Sequence, residues 1–597
     1  MKHHFLKLII ALSITSGAVK NKTYAEETMS DYSQLEKIIT PYIDKKMREH
    51  RIPGITIVIV DNQKIVWSSS FGYADVENKR EANIHTQFRA GSITKIFTAI
   101  AIMQLAEQGK IDIDKPLKTY IPQFKINSRY GATDNLTVRS ILSHTSGLPS
   151  EYVNGMWEPV VYKTDTPYRL LVDLIQNEYV SYPPYTTFSY SNIGFTLLGH
   201  LIHNVSGLSY QEYIRKNILQ PLHMERSEIE QTINGKNIAL SYTKSSHSQV
   251  QELALRDTPA GGLNSTVKDL SNIIMMINGK GKFADTQLLT SKTLENMFIK
   301  PKMHRPDTPA PHGLGWAIED GVPVIGDHQL IIGHEGATIG HSSQLKVAVD
   351  AKLGAIVMAN KNGSGTNEII DHALKHAYQI KTGKQLSKPN NIVNHCIIPD
   401  IEDIKGSYVL PGVGLINIES KGEKWIVNAF GIKMRLQQQN KRYGFKYKWL
   451  GIIPIALDEL DDIELCFQRH NTVEHNNKLH MNVYYKGQAL GSAKKVSPVE
   501  ISHIWKKRVG HYQITNAGDF FEAMESSTVV ELALENGLLI MKSNNTPIKS
   551  VLTPVNDNHA IIAGYGRSLG ETIRVELQDT QEVLTQSGTT LKKLTLK

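Results

Sequence analysis

Hydrophobic side chains recur at helical spacing over residues 33–50, which predicts an amphipathic helix at the start of the globular chain. Two strand-like runs follow at 55–60 and 64–67, and the polar residues between them predict a hairpin. A helix followed by a hairpin therefore opens the first domain.

A second helix is predicted from residue 92 to about residue 108, ending at Gly109. Its apolar side chains occupy every side, which is typical of a helix buried in the protein interior. Later runs at 344–349 and 354–358 are predicted as paired strands, and 367–380 as an amphipathic helix that closes this unit.

The pattern changes beyond a polar linker at 386–400 to short alternating runs separated by Gly, Asn and Asp, which predicts antiparallel sheet. We divide this part into two β-barrel-like domains, 401–498 and 499–597, after a first domain at 26–385. The tripeptides that begin at Gly406 and Gly510 are similar. This similarity fits an internal duplication and, equally, a coincidence.

Composition and charge limit the number of domains and the classes of function that this chain can have. A chain of 597 residues with 41% hydrophobic content is too long for one core and predicts roughly two to four domains. The 66 Lys and Arg residues exceed the 58 Asp and Glu residues by +8 without forming a basic tract, so nucleic-acid binding gains no support. The two cysteines, Cys396 and Cys466, fit no metal or disulfide scaffold, and whether they pair stays open.

Residues 1–25 are predicted to be a signal peptide. Lys2 and Lys7 flank the start of a short apolar stretch at 8–19, and a small-x-Ala cleavage pattern ends at Ala25. A membrane anchor is the alternative, but spanning a bilayer takes roughly 20 apolar residues and this stretch is shorter. We expect an exported protein, periplasmic or secreted, with no integral membrane segment after cleavage.

Ser-x-x-Lys tetrapeptides begin at Ser92, Ser241, Ser265, Ser343 and Ser492. Only the first opens a long apolar helix. A hydroxyl and an amine three residues apart at a helix start face the same side, so Lys95 lies one turn deeper as a candidate proton acceptor. The positive end of the helix dipole also favours negative charge at Ser92. This arrangement predicts an acyl-transfer enzyme.

Two later motifs supply candidate partners for Ser92. Tyr190 and Asn192 lie where a polar turn leads into an apolar helix. His334 and Gly336 form the only His-x-Gly of the chain, at a predicted strand edge. A nucleophile needs a base, an oxyanion hole and help for the leaving group, and these residue types can supply them.

These motifs resemble the serine beta-lactamase and penicillin-binding protein superfamily, in its class C-like branch of beta-lactamases, esterases and D-stereospecific peptidases. The matching blocks, in order, are 88–95, 142–149, 188–192, 260–266, 313–316 and 333–336. The resemblance implies an α/β (α+β) domain in which helices cover an antiparallel sheet and a helical subdomain is inserted. One or two all-β barrel-like domains follow it.

Carried onto this chain, the resemblance makes Ser92 the nucleophile that becomes acylated. Lys95 and Tyr190 share the proton transfers, and which of them is the base stays open. Asn192 is expected to hold the substrate amide.

The resemblance also places the backbone amides of Ser92 and Ala337 in the oxyanion hole, with His334 and Gly336 bordering the groove. His144, in the second block, is expected to be structural. No cofactor and no metal are implied.

The third block departs from the family pattern. A Lys-Thr-Gly is usual there, whereas this chain has histidine, whose unperturbed pKa of about 6.5 leaves it mostly neutral at pH 7. Carboxylate binding should therefore weaken. A literal Lys-Thr-Gly at 381–383 follows the closing helix, and we reject it as the active-site strand.

His-x-Gly and two C-terminal β-barrels are features of D-aminopeptidases in this superfamily. We therefore expect an exported hydrolase acting on amide, peptide or ester bonds, in small D-amino-acid substrates or peptidoglycan-derived peptides. The alternatives are a class C-like beta-lactamase, a carboxylesterase, and a non-catalytic penicillin-binding or sensing scaffold with a ligand-binding β-rich half. The expected partners are a small-molecule or peptide substrate and beta-lactams, and the oligomeric state is left open.

Overall fold

The structure is a computed structural model. It describes residues 30–594 except 132, 134, 243–247, 305–310, 320–328, 385–395, 423, 430–431, 440, 450–452, 456–462, 473–474, 486–487, 517–520, 523–526 and 544–545. The predicted signal peptide and most of the predicted linker lie outside the described residues. Among the helices of the described part, none has the length and apolar character needed to span a bilayer.

A seven-stranded sheet forms the centre of the first unit, and each strand pairs antiparallel with its neighbours. From one edge its strands are Ala317–Glu319, Ile331–Ala337, Ser342–Ala348, Leu353–Ala359, Gly54–Asp61, Lys64–Asp75 and Arg80–Glu81. The two strand pairs predicted from the sequence are confirmed.

Both faces of this sheet are covered. Helices Leu35–His50 and Thr366–Thr382 pack on one face, where they meet alternate side chains such as Ile57. Its neighbour Val58 points to the opposite face and joins a larger core that contains helix Thr94–Glu107. Because successive strand residues point to opposite faces, a strand covered on both sides is apolar throughout.

The larger core is built mainly from helices, and three small sheets accompany it, of which the one with Trp157 and Leu255 packs in a separate cluster. Its helices are Thr94–Glu107, Val138–Leu142, Leu171–Leu174, Asn192–Ser206, Tyr210–Ile214, Thr258–Gly261, Val267–Asn278 and Ser291–Met297. The small sheets pair Phe88–Gly91, Leu263–Ser265 and Glu228–Ile229, then Trp157–Glu158 with Ala254–Leu255, and Lys282–Phe283 with Thr286–Gln287.

Two eight-stranded β-barrels follow, and both close. The first consists of Gly406–Leu410, Gly414–Lys421, Lys424–Ala429, Ile432–Gln439, Arg442–Trp449, Ile463–Thr472, His475–Tyr485 and Gln488–Val496, with Ile453–Ile455 added to one strand. The second consists of Gly510–Ile514, Val529–Glu535, Leu538–Ser543, Lys549–Asn556, His559–Ile562, Thr572–Gln578, Gln581–Gln586 and Thr589–Lys593. The predicted fold class is confirmed, whereas the exact domain limits stay a prediction.

The two barrels begin in the same way. Gly406 and Gly510 start their first strands with φ of 135° and 142°. In each barrel a lysine of the last strand passes over this glycine and donates to a carbonyl three residues before it: Lys495 to Asp403 and Lys593 to Lys507. The duplicated tripeptides therefore mark equivalent positions of the two barrels.

Cys396 and Cys466 form a disulfide, so the question that the sequence left open is answered. The bridge ties the segment before the first barrel to one of its strands. Val409 of the first barrel packs into a cluster with Ile540 and Val551 of the second. The second barrel in turn contacts the first unit.

Candidate active site

Ser92 lies in the turn between strand Phe88–Gly91 and helix Thr94–Glu107. The helix therefore begins two residues later than the sequence predicts. Gly91 has φ of 53°, and the Thr94 hydroxyl donates to its carbonyl over 2.6 Å, which fixes the turn. Ser92 is thus held at the helix N-terminus, partly open to solvent.

Lys95 is fully buried, and its amine has three neighbours. Nζ lies 3.1 Å from Ser92 Oγ, 2.7 Å from Asn192 Oδ1 and 2.7 Å from the carbonyl oxygen of Ala260. Burial lowers the pKa of Lys95 well below its usual value, and the nearby Arg567 charge lowers it further. The amine is thereby biased towards its neutral form, which carries a lone pair.

Tyr190 completes the surroundings of the hydroxyl. Its phenol is hydrogen-bonded to the Ser92 side chain, and its ring centroid lies 4.9 Å from Lys95 Nζ. Burial raises the pKa of Tyr190, and this outweighs the lowering by its bond to Ser92. The phenol therefore retains its proton at neutral pH.

Asn192 is the first residue of helix Asn192–Ser206, and the Ser191 hydroxyl caps that helix by accepting from the Gly194 amide. The capped turn aims the Asn192 side chain at two partners. Its Oδ1 accepts from Lys95, and its Nδ2 donates to Glu151 Oε1 over 3.1 Å. The amide thus links the lysine to a carboxylate.

Strand Ile331–Ala337 closes the opposite wall. A Cβ on Gly336 would lie 2.0 Å from the carbonyl oxygen of Ala90, so only glycine fits there. A Cβ on Gly91 would likewise lie 2.8 Å from the Ala337 nitrogen. This close approach brings the Ala337 amide next to the Ser92 turn.

His334 is buried on the same strand, and burial lowers its pKa to about 3. It is therefore neutral at physiological pH, whereas weakened carboxylate binding stays a prediction. Its Nδ1 contacts the Glu335 carbonyl oxygen at 2.5 Å. Its Nε2 is then an acceptor, and no described residue donates a hydrogen bond to it.

His144 and His312 approach His334, with ligand nitrogens of the three rings within 4.8 Å of one another. A metal needs a lone pair from each ring. His144 Nδ1 already accepts the Ser191 amide over 3.0 Å, so in the neutral ring its Nε2 carries the proton. This tautomer does not fit a three-histidine metal site. The His144 ring instead stacks on the Tyr190 ring, with ring centroids 4.2 Å apart, and this contact helps to position the Tyr190 side chain.

The sequence did not reveal Glu151 and Arg567 as site residues. Arg567 belongs to the second barrel, yet it lines the same cavity of about 810 Å³ as Ser92 and Tyr190. Its guanidinium donates to Glu151 and lies 5.1 Å from the Tyr190 ring centroid. No local sequence pattern could place Arg567 in this site, because Arg567 lies far from Ser92 in the sequence and only the tertiary fold brings the two residues together.

The beta-lactamase family model matches residues 39–379, more than half of the chain. The chain therefore belongs to the beta-lactamase family. Protein flp of Staphylococcus aureus strain N315 is 28% identical over 372 residues, which cover 62% of this chain and 70% of that protein. Beta-lactamase-like protein 2 of Dictyostelium discoideum is 28% identical over 267 residues, covering 43% of this chain and 48% of that protein.

Solved structures extend the likeness into the C-terminal part. The octameric penicillin-binding protein homologue from Pyrococcus abyssi has a TM-score of 0.51 and 24% identity, covering 76% of this chain and 99% of its own. SurE with D-Leu has a TM-score of 0.52 and 20% identity, covering 77% and 99%. At these identities the likeness is one of fold, and it agrees with the resemblance drawn from the sequence motifs.

Proposed function

We propose that the protein is a serine hydrolase that forms an acyl-enzyme on Ser92 and cleaves amide, peptide or ester bonds. The observation that carries this proposal is the desolvated Lys95 amine 3.1 Å from the Ser92 hydroxyl. A buried amine with a lowered pKa is a competent general base at neutral pH.

In the acylation step Lys95 is the base. As a neutral amine it donates its two N–H groups to Asn192 Oδ1 and the Ala260 carbonyl, so its lone pair faces Ser92 Oγ. Oγ attacks the substrate carbonyl carbon while its proton moves to Nζ. The amides of Ser92 and Ala337 then stabilise the oxyanion, where one such donor is worth about 3 to 4 kcal/mol.

Tyr190 is the acid that follows. Since its phenol retains its proton, it protonates the leaving nitrogen or oxygen as the carbonyl–heteroatom bond breaks, and the Lys95 ammonium returns a proton to the phenolate. Water then attacks the acyl-Ser92 ester and loses its proton to Lys95, and the Lys95 ammonium returns that proton to the released Oγ. The cycle restores every proton.

The substrate class that we favour is small D-amino-acid amides or peptidoglycan-derived peptides. The cavity of about 810 Å³ is large enough for a short peptide, and the two barrels after the hydrolase unit match the D-aminopeptidase arrangement. Beta-lactam hydrolysis is the second candidate, favoured by the family itself. We also propose export, which the disulfide supports because such bonds persist in oxidising compartments.

The test is covalent labelling with a fluorescent fluorophosphonate or penicillin. Wild type should be labelled and Ser92→Ala should not. Ser492→Ala is the matched control, since this serine also begins a Ser-x-x-Lys but lies in the first barrel. Equal labelling of wild type and Ser92→Ala would refute the proposal. A panel of D-amino-acid amides, D-Ala-D-Ala peptides, esters and a chromogenic cephalosporin then ranks the substrate classes, and no turnover of any would favour a binding scaffold.

A further inference from the structure

A continuous chain of polar contacts joins the second barrel to the nucleophile. The Arg567 guanidinium donates to Glu151 Oε1, and the same oxygen accepts from Asn192 Nδ2 over 3.1 Å. Asn192 Oδ1 accepts from Lys95 Nζ over 2.7 Å, and Nζ lies 3.1 Å from Ser92 Oγ. Every member except Arg567 belongs to the hydrolase unit.

The loop that carries Arg567 is held against the hydrolase unit on both sides of this residue. The Tyr182 hydroxyl donates to the carbonyl of Gly564 over 3.1 Å, and the Ser568 amide donates to Ser150 Oγ over 2.7 Å. Ser150 directly precedes Glu151 in the chain. Hydrogen bonds of neighbouring residues therefore fix the positions of both partners of the ion pair.

The charges of this pair act on Lys95 with opposite sign. Arg567 disfavours a second positive charge and lowers the pKa of Lys95, whereas Glu151 and Asp257 raise it. Three histidines, His144, His312 and His334, also lie near the amine, and burial lowers the pKa of each so that they stay neutral. Among the described residues that line the cavity, Arg567 is the only lysine or arginine. Its charge is thus a specific feature of the surroundings of the base.

We propose that Arg567 is a positioning residue for the Ser92 reaction, which orients the Lys95 amine through Glu151 and Asn192. The second barrel is then part of the active site. This inference rests on the proposed function, because it assigns Arg567 a role in the acylation of Ser92.

The experiment measures the rate of fluorophosphonate labelling of the full chain as a function of pH. Labelling needs the neutral amine, so the labelling rate rises with pH around the pKa of Lys95. We call this rising part of the plot of rate against pH the acid limb. Arg567→Gln removes the positive charge and should move this limb to higher pH. Glu151→Gln removes the negative charge and should move it to lower pH. On the limb, each pH unit of movement changes the rate about tenfold.

Two further variants separate charge from structure. Arg567→Lys retains the charge and should restore the position of the limb, even where Arg567→Gln is poorly folded. Lys494→Gln is the matched control, because Lys494 contacts Tyr565 of the same loop, with Nζ 5.7 Å from the ring centroid, but does not line the cavity. Its limb should coincide with that of wild type.

A purely structural role predicts that Arg567→Gln and Glu151→Gln lower the rate equally at every pH, or move the limb in the same direction. Either result would overturn the inference, as would an equal shift in Lys494→Gln. If wild type is not labelled at any pH, the proposed function fails and the inference falls with it. If wild type is labelled and the acid limb has the same position in wild type, Arg567→Gln and Glu151→Gln, the inference alone fails.

Discussion

At the scale of single residues, burial supports the two proton-transfer roles that we propose and that the motifs leave open. Removal from water disfavours charge on either group, so it lowers the pKa of the Lys95 amine and raises that of the Tyr190 phenol. Both groups are then neutral, one with a free lone pair and the other with a proton to give. Sequence alone cannot decide this, because burial is a property of the fold.

Tyr190→Phe tests this division of labour. An amide leaving group must be protonated, whereas p-nitrophenolate leaves without help, so we expect kcat/KM for an anilide to fall by about 10² to 10⁴ and that for the matched p-nitrophenyl ester to fall far less. Steady-state kinetics on the two substrates provide the measurement. Equal losses on both would instead identify the phenol as the base.

The motifs predict much of the site but not all of it. Ser92, Tyr190, Asn192 and His334 line one cavity, as the order of the blocks implies, and Lys95 lies buried directly beneath it. No motif reveals the contacts that the tertiary structure creates. These are the stacking of His144 on Tyr190 and the contact of Arg567, from the second barrel, with the Tyr190 ring.

At the scale of elements, strands and helices follow from periodicity, whereas the loop 563–571 of the second barrel does not. Strand Gly54–Asp61 is apolar except for Thr56 and Asp61 because both its faces are covered, and such a run is recognisable in the sequence. The loop has no periodic pattern, and its position depends on contacts with Tyr182 and Ser150 of the first unit. Its position beside the cavity could not have been predicted without the fold.

Gly570 of this loop and Gly412 of the first barrel form a matched pair for testing the placement of the loop. A Cβ on Gly570 would lie 2.5 Å from the Tyr182 ring, whereas a Cβ on Gly412 would meet no atom within 4 Å. Both have φ of 72°, so alanine strains the backbone equally at either site. Gly570→Ala should cost a further 1 to 3 kcal/mol or so through overpacking.

Thermal melting of the two glycine variants measures this difference. We expect Gly570→Ala to melt at the lower temperature and to label Ser92 more slowly, because its clash displaces the loop. Similar melting temperatures for the two variants would contradict the tight seating of the loop on Tyr182.

At the scale of the whole molecule, the disulfide links the segment that precedes the first barrel to a strand of that barrel. It closes a segment of 70 residues, and loss of such a bridge typically costs about 2 to 4 kcal/mol. Cys396→Ser/Cys466→Ser should therefore lower the unfolding transition of that barrel, measured by calorimetry. Ser92 labelling should persist, since the hydrolase unit contains neither cysteine. Unchanged transitions would show that the bridge adds no stability.

The barrels also show where a weak sequence signal was informative. The tripeptides at Gly406 and Gly510 alone could not distinguish duplication from chance. The matching lysines, Lys495 and Lys593, lie at the far ends of their barrels in sequence and become evident as equivalents only when each last strand pairs with the first. Closure of a barrel brings together residues that no local window contains.

The position of Arg567 has a consequence for biosynthesis. The ribosome completes the nucleophile, its base and the whole central sheet well before it reaches the loop of the second barrel. A chain that terminates before this loop therefore contains Ser92 without the guanidinium that we propose to position its base. If Arg567 acts as we propose, full hydrolytic competence requires translation through residue 567.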